Sequence, residues 1–338
     1  MLGSIPFSLP LQFASGLADG SIIRIGTLLK DTGTGRILAH VQETGLAQKL
    51  FMGSGLVSGI PPFTPLTAAL KVVEVGSSVA ANVQMHQLKG MIESLQLLQY
   101  ANIGISAAGL GVSVIGFVLI NKKLKGLESD IIQLSAKMDR HFQELSERYL
   151  RQHFSKLYTL FERAEQVTFL PNPAREWLYI EGQLAEESGF LQGEIGYHLT
   201  LGNFNQEWFN KMTTALTLSN SARIQCLIRA NEMPAAHHAS SVIAQHYIEL
   251  FDPISETQLA HKLTVHATDG YADELQTFRR NQQQAGILIA ALQEMTDCAE
   301  TKTLLIENLI SNEITGPEFL KALDAETEQP ILLLEHKT

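Results

Sequence analysis

From residue 65 onward, apolar residues recur mainly three and four positions apart, which is the spacing of one helix face. Thr64 and Pro65 favour a helix start, because a hydroxyl caps the first turn and proline is tolerated at the first helical position. Apolar seams of heptad type follow at Met85, Leu88, Ile92 and Leu95, and again at Leu124, Leu127, Ile131, Leu134 and Met138. The pattern predicts long amphipathic helices of coiled-coil type, the second one extending toward Arg163.

Between the two seams, residues 94–121 contain no charged side chain. About twenty helical residues span about 30 Å, the thickness of a hydrocarbon core, so residues 101–120 are long enough to cross a bilayer. The apolar side chains amount to roughly −3 to −6 kcal/mol on the insertion scale, and Asn102, two serines and four glycines reduce that value. Insertion is therefore favourable but modest, as expected of a segment with a water-soluble and a membrane-bound state.

The candidate membrane residues fall into three groups. The residues predicted to insert are Ile103, Ile105, Leu110, Val112, Val114, Ile115, Phe117, Val118, Leu119 and Ile120. Small residues four apart, which let two helices approach closely in lipid, are Gly104, Ala108, Gly109 and Ser113. The basic flank, suited to the cytoplasmic side of a membrane, is Lys122, Lys123 and Lys125.

Before residue 65 the pattern is different. Residues 21–29 and 36–43 have strand-like composition, and the Asp, Thr and Gly residues of 30–35 favour a turn, so a β-hairpin is predicted. Two strands alone are marginal in water, so the hairpin needs a partner from this chain or from another subunit.

After residue 168 the chain has the pattern of a soluble helical domain. Phe169–Pro173 interrupts the preceding helix, and four to six helices are predicted at about 174–189, 204–232, 234–251, 256–293, 297–311 and 316–326. The predicted organisation is an N-terminal arm and hairpin (1–64), a helical hairpin or coiled coil with the apolar segment (65–168), and a C-terminal α-helical domain (169–338). The fold class is mainly α.

The heptad seams on either side of the apolar segment also permit the chain to fold back, with 85–98 packed against 124–138. Over roughly residues 65–165 this pattern resembles helical pore-forming toxins, whose coiled-coil bodies carry an apolar hairpin or tongue, although no motif of a particular family is matched. A competing interpretation is that the glycine-rich helix is buried in the core of a soluble protein or of an oligomer.

Composition narrows the class of function. The net charge of −10 and the lack of a basic stripe argue against a nucleic-acid partner. Cys226 and Cys298 are too few for a disulfide framework and fit a reducing compartment. The N-terminus has no basic region ahead of its apolar residues, so a secretory signal is not expected.

Motifs that carry chemistry are weak. Asp31-Thr32-Gly33 matches the short signature of aspartic proteases, but a hairpin turn explains it better. The helical histidines lack the spacing of a metal site; they are His237, His238, His246, His261 and His266. The acidic residues Glu181, Glu186 and Glu187 are predicted to form a solvated helix face. Trp177, Tyr179, Trp208 and Phe209 are expected to be core anchors, or else an interfacial aromatic belt.

No enzyme activity, metal or cofactor is therefore expected. The leading hypothesis is a bacterial-type, pore-forming or toxin-like effector that forms a homo-oligomer and inserts residues 101–120 into membrane lipid. Cytoplasmic synthesis and association with the inner membrane follow from it, with the C-terminal domain binding a regulatory protein partner or restraining the segment. The alternative is a soluble homo-oligomeric scaffold with the apolar helix buried in its core.

Overall fold

The computed structural model describes residues 5–46, 117–135, 140–201, 204–265 and 274–336. Within these ranges the chain forms nine α-helices and five short strands, so the mainly helical class is confirmed. The helices are α1 (Ala14–Asp19), α2 (Phe117–Ser135), α3 (Arg140–Gln166), α4 (Pro173–Thr200), α5 (Gln206–Arg229), α6 (Met233–Phe251), α7 (Glu256–Val265), α8 (Glu274–Ser311) and α9 (Gly316–Ala325). The strands are β1 (Phe7–Ser8), β2 (Ile22–Ile25), β3 (Leu28–Asp31), β4 (Ile37–Glu43) and β5 (Ile331–Glu335).

The five strands form one antiparallel sheet in the order β1-β5-β4-β3-β2. The predicted hairpin corresponds to β3 and β4, and Asp31 makes the expected turn because its Oδ1 accepts hydrogen bonds from the backbone N–H and hydroxyl of Thr34, both at 2.7 Å. The first predicted strand is in fact two strands, β2 and β3, which separate at Gly26 with φ of +53°. The partner that the hairpin needs comes from this chain, since β5 pairs with β4 through Ala39–Glu43.

The β2–β3 turn anchors the sheet on helix α8. A Cβ on Gly26 would lie 2.4 Å from the backbone oxygen of Asp297, so only glycine permits this approach. Next to it, the backbone N–H of Thr27 donates to Thr301 Oγ1 at 2.9 Å, and Arg24 pairs with Glu294. The described N-terminal residues are therefore packed onto the C-terminal helices.

Helices α2 and α3 lie side by side and run antiparallel. Phe117, at the start of the described part of α2, contacts Phe161 near the end of α3, and further along Tyr158 donates to Glu128. The pattern predicts one long helix over this region, whereas the chain forms two helices packed on each other. The predicted seam residues Leu124, Leu127, Ile131 and Leu134 are nevertheless all buried, as expected for the face that contacts the core.

The C-terminal helices agree with the prediction except at three places. Helix α4 continues beyond residue 189 to Thr200, and α8 runs unbroken through 294–296, where the pattern suggests a gap. No glycine or proline lies at 294–296, and Thr296 turns its hydroxyl back onto the carbonyl of Leu292, so the helix has no reason to stop there. The predicted helix 256–293 appears as α7 and the first part of α8, with residues 266–273 outside the described ranges.

Candidate functional site

The structure describes one end of the predicted membrane segment. Phe117, Val118, Leu119 and Ile120 lie in α2, as do the three flanking lysines. The other proposed inserting residues and all four small packing residues lie outside the described ranges. Across the described part of the chain, no helix is both long and apolar enough to cross a membrane.

Phe117 and Ile120 are buried in the helical core. Only 5% of the Phe117 surface is exposed. Its ring stacks on Trp177 of α4: the ring centroids are 5.2 Å apart, and the ring planes form an angle of 24°. The ring is also tilted against Phe161 of α3, with 6.1 Å between the centroids. We call Phe161, Trp177 and Arg229 the Phe117 seat, since Arg229 completes the enclosure.

Local sequence explains how these groups converge. Positions 117, 120 and 124 are spaced three and four apart, so Phe117, Ile120 and Leu124 share one face of α2. Asn172 caps α4, with Pro173 at the first helical position, and this start places Trp177 in the first turns of the helix. Arg229 is the last residue of α5, so its long side chain extends from a helix end toward the rings.

Arg229 is a charged group among aromatic rings. Its Cζ lies 5.8 Å from the Phe117 ring centre and 5.5 Å from that of Trp177, a distance at which a cation is attracted to the ring face. Burial lowers the pKa of Arg229, while Cys226 and Asp324 act in the opposite direction. Its buried Nε has no hydrogen-bond partner among the described residues.

Asn121 adds a second unsatisfied polar atom on the same helix. It lies one turn after Phe117, is buried, and its Oδ1 has no hydrogen-bond partner in the described part of the chain. An unpaired buried polar atom costs about 1–3 kcal/mol, so two such atoms offset part of the stabilisation from aromatic packing. Among the described contacts, the Phe117 end of α2 is therefore held mainly by aromatic and apolar packing.

The second half of α2 is fastened differently. Tyr158 donates to Glu128 Oε2 at 2.6 Å, and both burial and the Glu128 carboxylate raise the pKa of Tyr158. Lys211 of α5 pairs with Asp130 at 2.7 Å. Further along α2, the apolar side chains of Ile131 and Leu134 are also buried. Polar and apolar contacts act together here, whereas the Phe117 end depends on ring packing.

Near the flank, Lys125 is half exposed and lies 3.5 Å from Glu162, with its Nζ 5.6 Å from the Tyr158 ring centre. Such exposed pairs contribute little to stability. Lys125 therefore keeps a solvent-facing charge at the boundary between the buried end of α2 and its fastened half.

A second polar cluster corrects the prediction for two of the three acidic residues of α4, whereas Glu186 is exposed as predicted. Glu187 is buried, accepts a hydrogen bond from His153 Nδ1 at 2.6 Å and pairs with Lys156 at 3.2 Å. Glu181 is part-buried and pairs with Arg223 at 3.1 Å. Both carboxylates thus link helices, and the alternation of Glu with apolar residues did not distinguish such links from a solvated face.

The buried lysine Lys302 lines a small cavity between α5, α6 and α8. The cavity has about 20 Å³ of free volume, enough for about one water molecule. Burial lowers the pKa of Lys302, and burial also raises the pKa of Cys298 to about 12, so this thiol stays protonated at neutral pH.

Of the four aromatic residues predicted to anchor the core, three are buried and one is exposed. Trp177, Trp208 and Phe209 are core anchors as expected, whereas Tyr179 is exposed and lies under the guanidinium of Arg163. His237, His238, His246 and His261 belong to no group of metal-ligating side chains within the described ranges. Arg229 was not singled out by the sequence pattern; its only local signal is that a basic residue follows the apolar residues Cys226, Leu227 and Ile228.

Comparison of the chain with models of protein families, with curated proteins and with solved structures finds no match.

Proposed function

We propose that this chain is a membrane-active helical protein, pore-forming or membrane-anchored, that oligomerises and inserts residues 101–120 into lipid. The observation that carries the proposal is the run of 28 residues, 94–121, without one charged side chain. A helix of that length exceeds the hydrocarbon core, and lysines follow at once, as on the cytoplasmic side of an inner membrane. We further propose that the seams on either side pack as a coiled coil, and that the C-terminal domain restrains the segment or binds a regulatory protein.

The test is flotation and leakage with the full chain and lipid vesicles. Val114→Asp or Gly109→Asp places a charge near mid-bilayer, at a cost of roughly 2.5–3.5 kcal/mol, which removes most of the modest insertion energy. We expect both variants to lose salt-resistant flotation and dye release. Gly182→Asp is the matched control, since Gly182 is exposed on α4 and a Cβ there meets nothing within 4 Å.

Leakage that is the same for Val114→Asp, Gly109→Asp and the unmodified chain would contradict insertion of this segment. Chemical cross-linking on the vesicles tests the oligomer, which we expect to form in parallel with dye release.

A second candidate function is a soluble homo-oligomeric scaffold in which the apolar helix is buried. The burial of Phe117 and Ile120 among core residues favours it, because these two side chains are already removed from water without lipid. It predicts a homogeneous oligomer in the absence of detergent and protein that stays at the bottom of the flotation gradient. The same gradient therefore separates the two candidates.

A further inference from the structure

We infer that the Phe117 seat is a latch: Trp177, Phe161 and Arg229 retain the end of the apolar segment, and the seat must open before residues 101–120 are fully inserted. The inference rests on the proposed function, since it concerns the regulation of the same segment. Phe117 and Ile120 belong to the inserting set and are also core residues, and one side chain cannot occupy the protein core and the bilayer at once.

The seat cannot follow the segment into lipid. Arg229 belongs to α5 and Trp177 to α4, and both helices are buried along one face within the same core. A guanidinium is among the most costly groups to place in a bilayer. Insertion therefore requires that Phe117 leaves the seat rather than that the seat moves with it.

Among the contacts of α2 that the structure describes, those at the Phe117 end are the ones that can open. Phe117 depends on ring packing and Asn121 carries an unsatisfied Oδ1, while Glu128 and Asp130 are bonded to α3 and α5. Between the two halves lies Gly126, which is exposed and where an added Cβ would meet nothing within 4 Å. Glycine inside a helix weakens it relative to alanine, so the weakest backbone position of the described α2 separates the releasable end from the fastened half.

Two substitutions open the seat without reducing the apolar character of the segment. Phe117→Leu removes the stacked ring, and leucine and phenylalanine insert almost equally well on the insertion scale. Trp177→Leu removes the other ring and lies outside the segment. Loss of an aromatic stack corresponds to about a two- to tenfold shift in the opening equilibrium, so we expect dye release from phosphatidylethanolamine–phosphatidylglycerol vesicles to become faster by about that factor.

Trp208→Leu is the control for general destabilisation. Trp208 is buried to the same extent, but its ring packs on His198, 4.5 Å away between centroids. Gly126→Ala acts in the opposite direction, and we expect slower release because the helix between the two halves is stiffened. Helical content measured by circular dichroism checks that each variant is folded.

The Trp208→Leu protein also reports on the seat directly, because Trp177 is then its only tryptophan. On addition of the same vesicles, we expect quenching of Trp177 by acrylamide to increase in parallel with dye release.

The outcomes are separable. If the unmodified chain leaks vesicles and Val114→Asp does not, but Phe117→Leu and Trp177→Leu match Trp208→Leu, the latch is wrong and the membrane function stands. If dye is released while Trp177 quenching is unchanged, the latch is also wrong. If no variant floats or releases dye, both the proposed function and the latch are overturned.

Discussion

Truncation of Phe117 to alanine measures how firmly α2 is held when no membrane is present. The side chain is 5% exposed and stacked on Trp177. Burial of a phenylalanine contributes about 1.5–3 kcal/mol and the aromatic stack a further 0.5–1.5 kcal/mol or so. The sum of about 2–4.5 kcal/mol overlaps the roughly 3–5 kcal/mol found for truncation of buried aromatic residues.

The assay is equilibrium unfolding in urea, with circular dichroism as the signal. Phe169→Ala is the matched control, because Phe169 lies in the turn before α4 and is 87% exposed, so its loss should change the free energy of unfolding by less than about 0.5 kcal/mol. We expect Phe117→Ala to lower that free energy by about 2–4.5 kcal/mol relative to the unmodified chain.

A double-mutant cycle isolates the ring stack from the rest of the burial. Phe117→Leu and Trp177→Leu, made singly and together, should show a coupling free energy of about 0.5–1.5 kcal/mol, because the two rings touch each other. A Phe117→Ala effect indistinguishable from that of Phe169→Ala, or no coupling in the cycle, would refute the reasoning that α2 is seated through its rings.

Two further predictions concern the rest of the fold. Gly26→Ala should lower the free energy of unfolding by about 2–4 kcal/mol in the same assay, since it combines a left-handed φ with a clash against Asp297. The control is Gly20→Ala, where φ is also left-handed but the space is open, and it should cost only about 1–2 kcal/mol. Equal effects of the two substitutions would contradict the anchoring of the β2–β3 turn on α8. Burial lowers the pKa of His198 to about 4 in the folded protein, whereas the pKa of an unfolded histidine is about 6.5. Below pH 6.5 the unfolded chain therefore binds the proton preferentially, and the free energy of unfolding falls between about pH 6.5 and pH 4. At pH 5 the free energy of unfolding should be lower than at pH 7 by about 2 kcal/mol from this group. His198→Gln should remove that part of the pH dependence. If the free energy of unfolding of the variant depends on pH as in the unmodified chain, His198 is not buried in its neutral form.

Local patterns were sufficient where a few neighbouring residues decide the structure. Gly316 and Pro317 mark the start of α9, and Thr315 and Glu318 form the capping box that such a start favours. The turn at Asp31 likewise follows from Asp, Thr and Gly together. These features depend on contacts within a few residues, so the sequence carries them directly.

Features that depend on distant contacts could not be read in this way. The run Ile331–Glu335 is too short to declare its partner, and it pairs with β4 about 290 residues earlier. The heptad positions after residue 123 identify the buried face of α2 but not that α3 returns along it. Glu187 and Arg229 look like surface charges from their neighbours, and only the packing of α3, α4 and α5 gives them buried partners.

In the proposed mechanism, the seated and the inserted states of residues 101–120 differ by a small free energy. Insertion of residues 101–120 contributes roughly 3–6 kcal/mol before the polar residues and glycines are subtracted. Release of Phe117 alone costs about 2–4.5 kcal/mol, and the unsatisfied atoms of Asn121 and Arg229 return part of that cost when the seat opens. Because these quantities are similar, we expect the strength of the seat to decide which of the two proposed states predominates. A change of about 1.4 kcal/mol at Trp177 or Arg229, from a partner or a substitution, shifts the populations tenfold, so control of the segment is expected to act at α4 and α5 rather than within the segment itself.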